Sequence, residues 1–123
     1  MNPGVVAADD DPDILLLVSI AIRKAGLELL ATASSGDAAL AAIREHRPSI
    51  VVLDNTMPGM SGLEVCRAIR EDSSITGTTV IMLSASVDER AQKLAESAGA
   101  DHFRSKPFSP REFADFLSVE AAR

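Results

Sequence analysis

The chain has 123 residues, 46% of them apolar and 24% charged, and a net charge of −6 at neutral pH. That composition is one of an ordinary soluble globule, one domain spanning residues 1–123, and the acidic balance argues against nucleic acid or an anionic membrane as a direct partner. The single cysteine, Cys66, excludes an internal disulfide and points to a reducing, cytoplasmic setting; the apolar stretch from Ile14 to Ile22 is too short and wrongly flanked for a signal peptide or a membrane span.

Taken in chain order, the pattern alternates between short apolar runs and capped helices. Val5–Ala8 reads as a strand running into Asp9-Asp10-Asp11, and Asp11-Pro12 is an N-cap followed by proline at the first helical position. That helix is expected to reach Ala25 and stop at Gly26. Leu29–Ala33 reads as a second strand and Ser35–His46 as a second helix ended by Pro48. Ile50–Asp54 is an apolar run that ends in a carboxylate, the mark of a strand buried on both faces of a parallel sheet. A Pro/Gly-rich loop follows, in which Gly62 permits a close approach to the next element. Ser61 and Glu64 have capping-box spacing, so a third helix opens at Gly62 and runs to Glu71; Cys66 on it reads as a small buried apolar residue. Thr79–Leu83 is a fourth strand ending at Ser84. Ser86 and Glu89 form another capping box, for a helix reaching Ala98 before Gly99. Phe103–Ser105 is a short fifth strand leading to Lys106-Pro107, and Ser109-Pro110-Arg111-Glu112 opens the last helix. Five strand–helix pairs without linker or repeat imply one parallel sheet with helices on both faces.

In such a sheet the carboxyl ends of the strands share one edge, so Asp9, Asp10, Asp54, Ser84 and Lys106 converge there. Each has a bland reading as a cap, a turn residue or a surface amine; together, three carboxylates, a hydroxyl and an amine make a site. Carboxylates about 4 Å apart repel by roughly 4 kcal/mol at an effective dielectric of 20, a cost that Lys106 offsets only in part. A hard cation with oxygen ligands, Mg²⁺ above all, completes the balance. A phosphoryl group on that metal would sit against Asp54, which could attack phosphorus to give an aspartyl phosphate, with Lys106 and Ser84 donating to the phosphoryl oxygens.

These residues resemble the receiver (CheY-like) domain of bacterial two-component response regulators, over essentially the whole chain. The likeness rests on Asp9-Asp10, on Asp54 with Met57-Pro58, Met60, Gly62 and Glu64, on Ser84-Ala85, and on Lys106-Pro107-Phe108. It implies a flavodoxin-like (βα)5 three-layer sandwich, its five-stranded parallel sheet in the order 2-1-3-4-5. It implies too that a histidine kinase or histidine phosphotransfer protein phosphorylates Asp54. By the same resemblance Asp10, Asp54 and the Thr56 backbone carbonyl ligate Mg²⁺ and Asp9 supports them. Ser84 and Phe103 become the switch pair, and Lys106 the phosphoryl-binding amine. Such a domain is no enzyme beyond its own phosphotransfer and dephosphorylation. Its output partner would bind the face made by the fourth helix, fifth strand and fifth helix.

Three positions depart from the family's habit. Phe103 replaces the commoner tyrosine and has no hydroxyl. His102 stands where the winged-helix branch usually carries an aspartate that pairs two receivers, which weakens the case for that dimer. Arg104 takes a usually apolar position, either as a solvated edge or as a partner contact, and His46 reads as a surface residue at a helix end. Met1 is consistent with nothing preceding the domain, and the last helix suits either a stand-alone receiver or the first domain of a longer regulator. The rival is a haloacid dehalogenase-like phosphohydrolase, which also forms an aspartyl phosphate; it needs an aspartate two residues after the nucleophile, where Thr56 stands. A flavodoxin-like cofactor binder fails on charge, since three aspartates would repel a phosphate held there without metal.

Overall fold

The computed structural model describes residues 3–85, 88–106 and 109–122, and within them every expected strand and helix is present. The elements are β1 (Gly4–Ala8), α1 (Pro12–Lys24), β2 (Glu28–Ala33), α2 (Gly36–His46), β3 (Ile50–Asp54), α3 (Gly62–Glu71), β4 (Thr79–Ser84), α4 (Glu89–Ala98), β5 (His102–Ser105) and α5 (Pro110–Ala121). All neighbouring strands pair in parallel, and the order across the sheet is β2-β1-β3-β4-β5. This is the flavodoxin-like three-layer arrangement. No helix among the described residues is long and apolar enough to cross a membrane.

Side-chain alternation along the strands divides the core in two. On one face Val6, Val51, Leu53, Val80 and Met82 pack against α2, α3 and the end of α4, through Leu40, Ile43, Val65, Ile69 and Ala98. On the other, Val5, Val52, Ile81 and Leu83 pack against α1 and α5, through Val18, Ile22, Phe113 and Leu117. β3 lies at the centre with all five residues buried, as its uninterrupted apolar run requires.

Local hydrogen bonding sets most boundaries. Asp11 caps α1 by accepting from Asp13 N at 2.9 Å, and Ser35 caps α2 through Ala38 N at 3.2 Å. Ser61 and Glu64 complete the expected capping box reciprocally, at 3.2 and 3.1 Å. Strands β1, β2 and β5 each begin one residue earlier than expected, and two helix boundaries also differ. α1 ends at Lys24 with Ala25 as its cap, and the chain turns at Gly26 (φ 78°). The N-cap of α4 is Asp88, whose carboxylate accepts from Ala91 N at 2.8 Å; a carboxylate on a free backbone N–H is a charge-assisted bond. The cap of α4 thus lies two residues beyond the expected Ser86, with Ala91 and no acidic or amide side chain at its third position; Ser86 itself lies outside the described residues, as do Pro107 and Phe108. α2 stops at Arg47 in the left-handed region (φ 48°), one residue before Pro48.

Candidate functional site

The loop after β3 is held from several sides. Asn55 N donates to Leu83 O at 2.9 Å and Gly62 N to Asn55 O at 3.0 Å, tying both ends of the loop to the sheet. Met57 is buried in the core, and Pro58 O accepts from Gly36 N at 3.2 Å, which fastens the loop to the start of α2. Gly62 is where α3 meets the sheet: a Cβ there would fall against the Asp54 carbonyl oxygen and within 2.9 Å of Met82 Sδ. The loop is thus a rigid lip behind Asp54.

Onto this edge the fold brings the acidic residues. Asp9 and Asp54 are buried, Asp10 is exposed, and one carboxylate oxygen from each lies within 4.8 Å of the other two. The Lys106 ammonium bridges the two buried members, 2.8 Å from Asp9 Oδ2 and 2.9 Å from Asp54 Oδ1. Burial alone would lower the Lys106 pKa, but hydrogen bonding and charge from Asp9 and Asp54 outweigh it and hold the pKa above its ordinary value. Lys106 is therefore a fixed cation.

Other contacts orient the carboxylates. Asp9 Oδ1 accepts from Asp11 N at 2.9 Å, while the buried Asp9 Oδ2 faces the Lys106 ammonium and has no further partner among the described residues. Asp54 Oδ1 also accepts from Thr56 N at 3.3 Å. Register places Ser84 beside the cluster: Asp54 pairs with Leu83, so the buried Ser84 is the next residue along β4, and its carbonyl accepts from Lys106 N at 2.9 Å. Asp9, Asp10, Asp54 and Lys106 are thus brought together as expected, with Ser84 alongside and Thr56 on the exposed lip.

Three carboxylates against one ammonium leave two formal negative charges uncompensated, and the donors are all hard oxygens. That charge, together with the poorly satisfied Asp9 Oδ2, fits a small divalent cation such as Mg²⁺ and not a thiophilic metal.

Residues 5–118 match the profile of the response regulator receiver domain. The chain belongs to that family. This receiver is 39% identical over 112 residues to the DNA-binding response regulator MtrA of Mycolicibacterium smegmatis, covering 91% of the chain and 47% of MtrA. To the phosphate regulon transcriptional regulatory protein PhoB of Pseudomonas aeruginosa it is 34% identical over 119 residues, 97% of the chain and 52% of PhoB. The chain thus spans about half the length of these relatives, and their DNA-binding and transcriptional names describe the longer proteins. Among solved structures, a putative response regulator from Chloroflexus aurantiacus superposes with a TM-score of 0.91 at 28% identity, each chain covered fully (100% and 100%). The BeF3-activated receiver domain of DrrB superposes at 0.89 with 32% identity, again with 100% of both chains covered. The dehalogenase-like alternative finds no support in these relationships.

The departures noted in the sequence acquire definite places in the receiver. Phe103 is half-buried and packs against the core on the α2/α3 face. His102 turns the other way: its Nε2 lies 2.7 Å from Glu120 Oε1, and its ring meets Phe116 edge-on at 5.0 Å. Arg104 is exposed, as a solvated edge would be, and its guanidinium lies 4.3 Å from the centre of the Phe116 ring. Sequence reasoning missed Phe116 and Glu120 as the residues that receive His102 and Arg104. The available signal was spacing: i,i+4 on a helix faces one way, and so does i,i+2 on a strand.

Cys66 is fully buried, and burial pushes its thiol pKa up to about 11, as befits an apolar filler and not a nucleophile. His46 is exposed at the end of α2, 3.8 Å from the neighbouring Glu45.

Proposed function

We propose that residues 1–123 act as one phosphoacceptor switch, in which Asp54 takes a phosphoryl group from the phosphohistidine of a histidine kinase or histidine phosphotransfer protein. The observation that carries this reading is the Lys106 ammonium bridging Asp9 and Asp54 at 2.8 and 2.9 Å inside a three-carboxylate cluster. In the transfer, an Asp54 carboxylate oxygen forms the new O–P bond as the N–P bond to the donor imidazole breaks, and the imidazole leaves with its electron pair. Both contacts described for the Asp54 carboxylate converge on Oδ1, so Oδ2 is the oxygen assigned to attack.

Asp10, Asp54 and the Thr56 carbonyl would hold Mg²⁺, with Asp9 supporting them, and the ion would supply charge neutralisation for the phosphoryl oxygens. The residues of the chain do the rest. Lys106 moves from bridging two carboxylates to sharing its protons with the phosphoryl group, and the Ser84 hydroxyl donates from β4. Drawing Ser84 inward opens space that Phe103 rotates to fill, which reshapes the α4–β5–α5 face for an output partner.

The test is intact-mass spectrometry after incubation with acetyl phosphate and Mg²⁺. One added phosphoryl group, removed by hydroxylamine, is expected in the natural chain and in Asp11→Asn, because Asp11 serves as a cap. None is expected in Asp54→Asn. Modification that survives in Asp54→Asn refutes the assignment.

A further inference from the structure

β5 is a four-residue edge strand with a single hydrogen-bonded neighbour, β4, yet it carries the residue assigned to the switch. Its register against β4 fixes which way each side chain points. His102 pairs with Ile81, Phe103 with Met82 and Arg104 with Leu83. Ile81 and Leu83 belong to the α1/α5 core and Met82 to the α2/α3 core. His102 and Arg104 therefore point toward α5 on either side of Phe103, which points away from it.

Both of these side chains land on one turn of α5. Arg104 lies over the Phe116 ring at 4.3 Å, and the His102 ring meets the same phenylalanine edge-on at 5.0 Å. Nε2 of His102 reaches Oε1 of Glu120, one turn further along, at 2.7 Å; the Glu120 side chain is only 7% exposed. Phe116 in turn stacks on the core residue Phe113, with ring centres 6.0 Å apart. The grip thus runs from the strand, through one aromatic ring, into the packed interior of the helix. A charged group over an aromatic face and a polar contact to a largely buried carboxylate both depend on distance and angle, so neither survives free sliding of the strand past the helix.

We propose that His102 and Arg104 act as positioning residues that clamp β5 to α5 through Phe116 and Glu120, so that the rearrangement of Phe103 on phosphorylation is carried into α5. This rests on the reading of Asp54 as phosphoacceptor and Phe103 as its switch partner. The clamp makes α5 part of the output of this chain. In its absence the motion of Phe103 is absorbed by the short strand and by the α2/α3 face on which Phe103 sits.

The experiment labels the phenylalanine rings of the full chain and follows Phe103 and Phe116 by NMR on addition of beryllofluoride with Mg²⁺. In the natural chain both rings are expected to shift. In the double variant His102→Asn/Arg104→Met, Phe103 should still shift while the Phe116 response falls by more than half. Arg104→Lys, which keeps a cation over the ring, should retain most of the Phe116 response; a purely structural role would not distinguish Lys from Met in this readout. Phe103 shifting in the natural chain without Phe116, or Phe116 responding equally in all three proteins, overturns the clamp and leaves the switch reading intact. Backbone shifts at Asp54 with neither ring moving overturn the switch reading and the clamp with it.

Discussion

Asp10→Asn isolates the electrostatic cost of the acidic cluster. Asp10 is the exposed member, no hydrogen bond from its side chain ties it to the fold among the described residues, and asparagine preserves its shape. Its carboxylate faces those of Asp9 and Asp54 with ligand oxygens within 4.8 Å, against one ammonium that already bridges the other two. One such pair repels by about 3.5 kcal/mol at an effective dielectric of 20 and by about 0.9 kcal/mol in bulk water. Lys106 cancels roughly one of the two repulsions, and the exposure of Asp10 draws the remainder toward the lower figure. In EDTA, Asp10→Asn should therefore stabilise the chain by about 1–2 kcal/mol, a rise in Tm on the order of 3–8 °C for a domain of this size. Mg²⁺ at about 100 times its Kd should stabilise the natural chain by about 2.7 kcal/mol, and this increment should largely vanish in the variant. The order of stability then inverts between EDTA and Mg²⁺. With no tryptophan or tyrosine in the chain, urea unfolding is best followed by far-UV circular dichroism. Asp13→Asn, which alters a first-turn acid of α1 outside the cluster, should show no such inversion. A neutral or destabilising effect of Asp10→Asn in EDTA, or an unchanged Mg²⁺ increment, refutes the reasoning.

Two further outcomes test the frame around the site. Arg70 donates to the carbonyls of Gly99, Thr76 and Thr78 at 2.8, 2.6 and 2.7 Å and to Asp101 at 2.7 Å, joining α3 to the turns that lead into β4 and β5. Arg70→Ala should cost about 2–4 kcal/mol in urea unfolding, and Arg70→Lys should recover little of it because an ammonium cannot fork to four acceptors; a loss under 1 kcal/mol would contradict this. Cys66 has a folded pKa raised by burial from 9.0 to about 11, so the folded state holds its proton more tightly than the unfolded chain. Its contribution to stability, about 2–3 kcal/mol, is complete below pH 9 and is lost as pH rises toward about 11. Over that window the natural chain should lose stability more steeply than Cys66→Ala, and parallel pH profiles would count against a buried neutral thiol.

How much of this was legible in the sequence depends on the range of the interaction. Caps and turns are settled within three or four residues, so Asp11-Pro12, Ser35, Ser61 with Glu64, and Ser109-Pro110 could be read directly, and all four cap their helices. The buried run of β3 announced a central strand because a strand covered on both faces has no polar side to show. Alternation of strands and helices then put Asp9, Asp10, Asp54, Ser84 and Lys106 at one edge, since parallel strands end together. The order of the strands came from resemblance, not from periodicity.

One local signal misled: Ser86 was the expected cap of the fourth helix, and Asp88, two residues on, took the role. Everything that joins distant segments was left to the tertiary structure. The register of β5 on β4 turned His102 and Arg104 toward α5, and the packing of α5 put Phe116 and Glu120 beneath them. The same packing decided that Lys106 bridges Asp9 and Asp54 and does not extend into solvent. Such contacts are fixed by the relative placement of whole elements to within an ångström. Residue type and spacing along the chain determine which groups reach the edge of a sheet, while only the folded chain determines which of them touch.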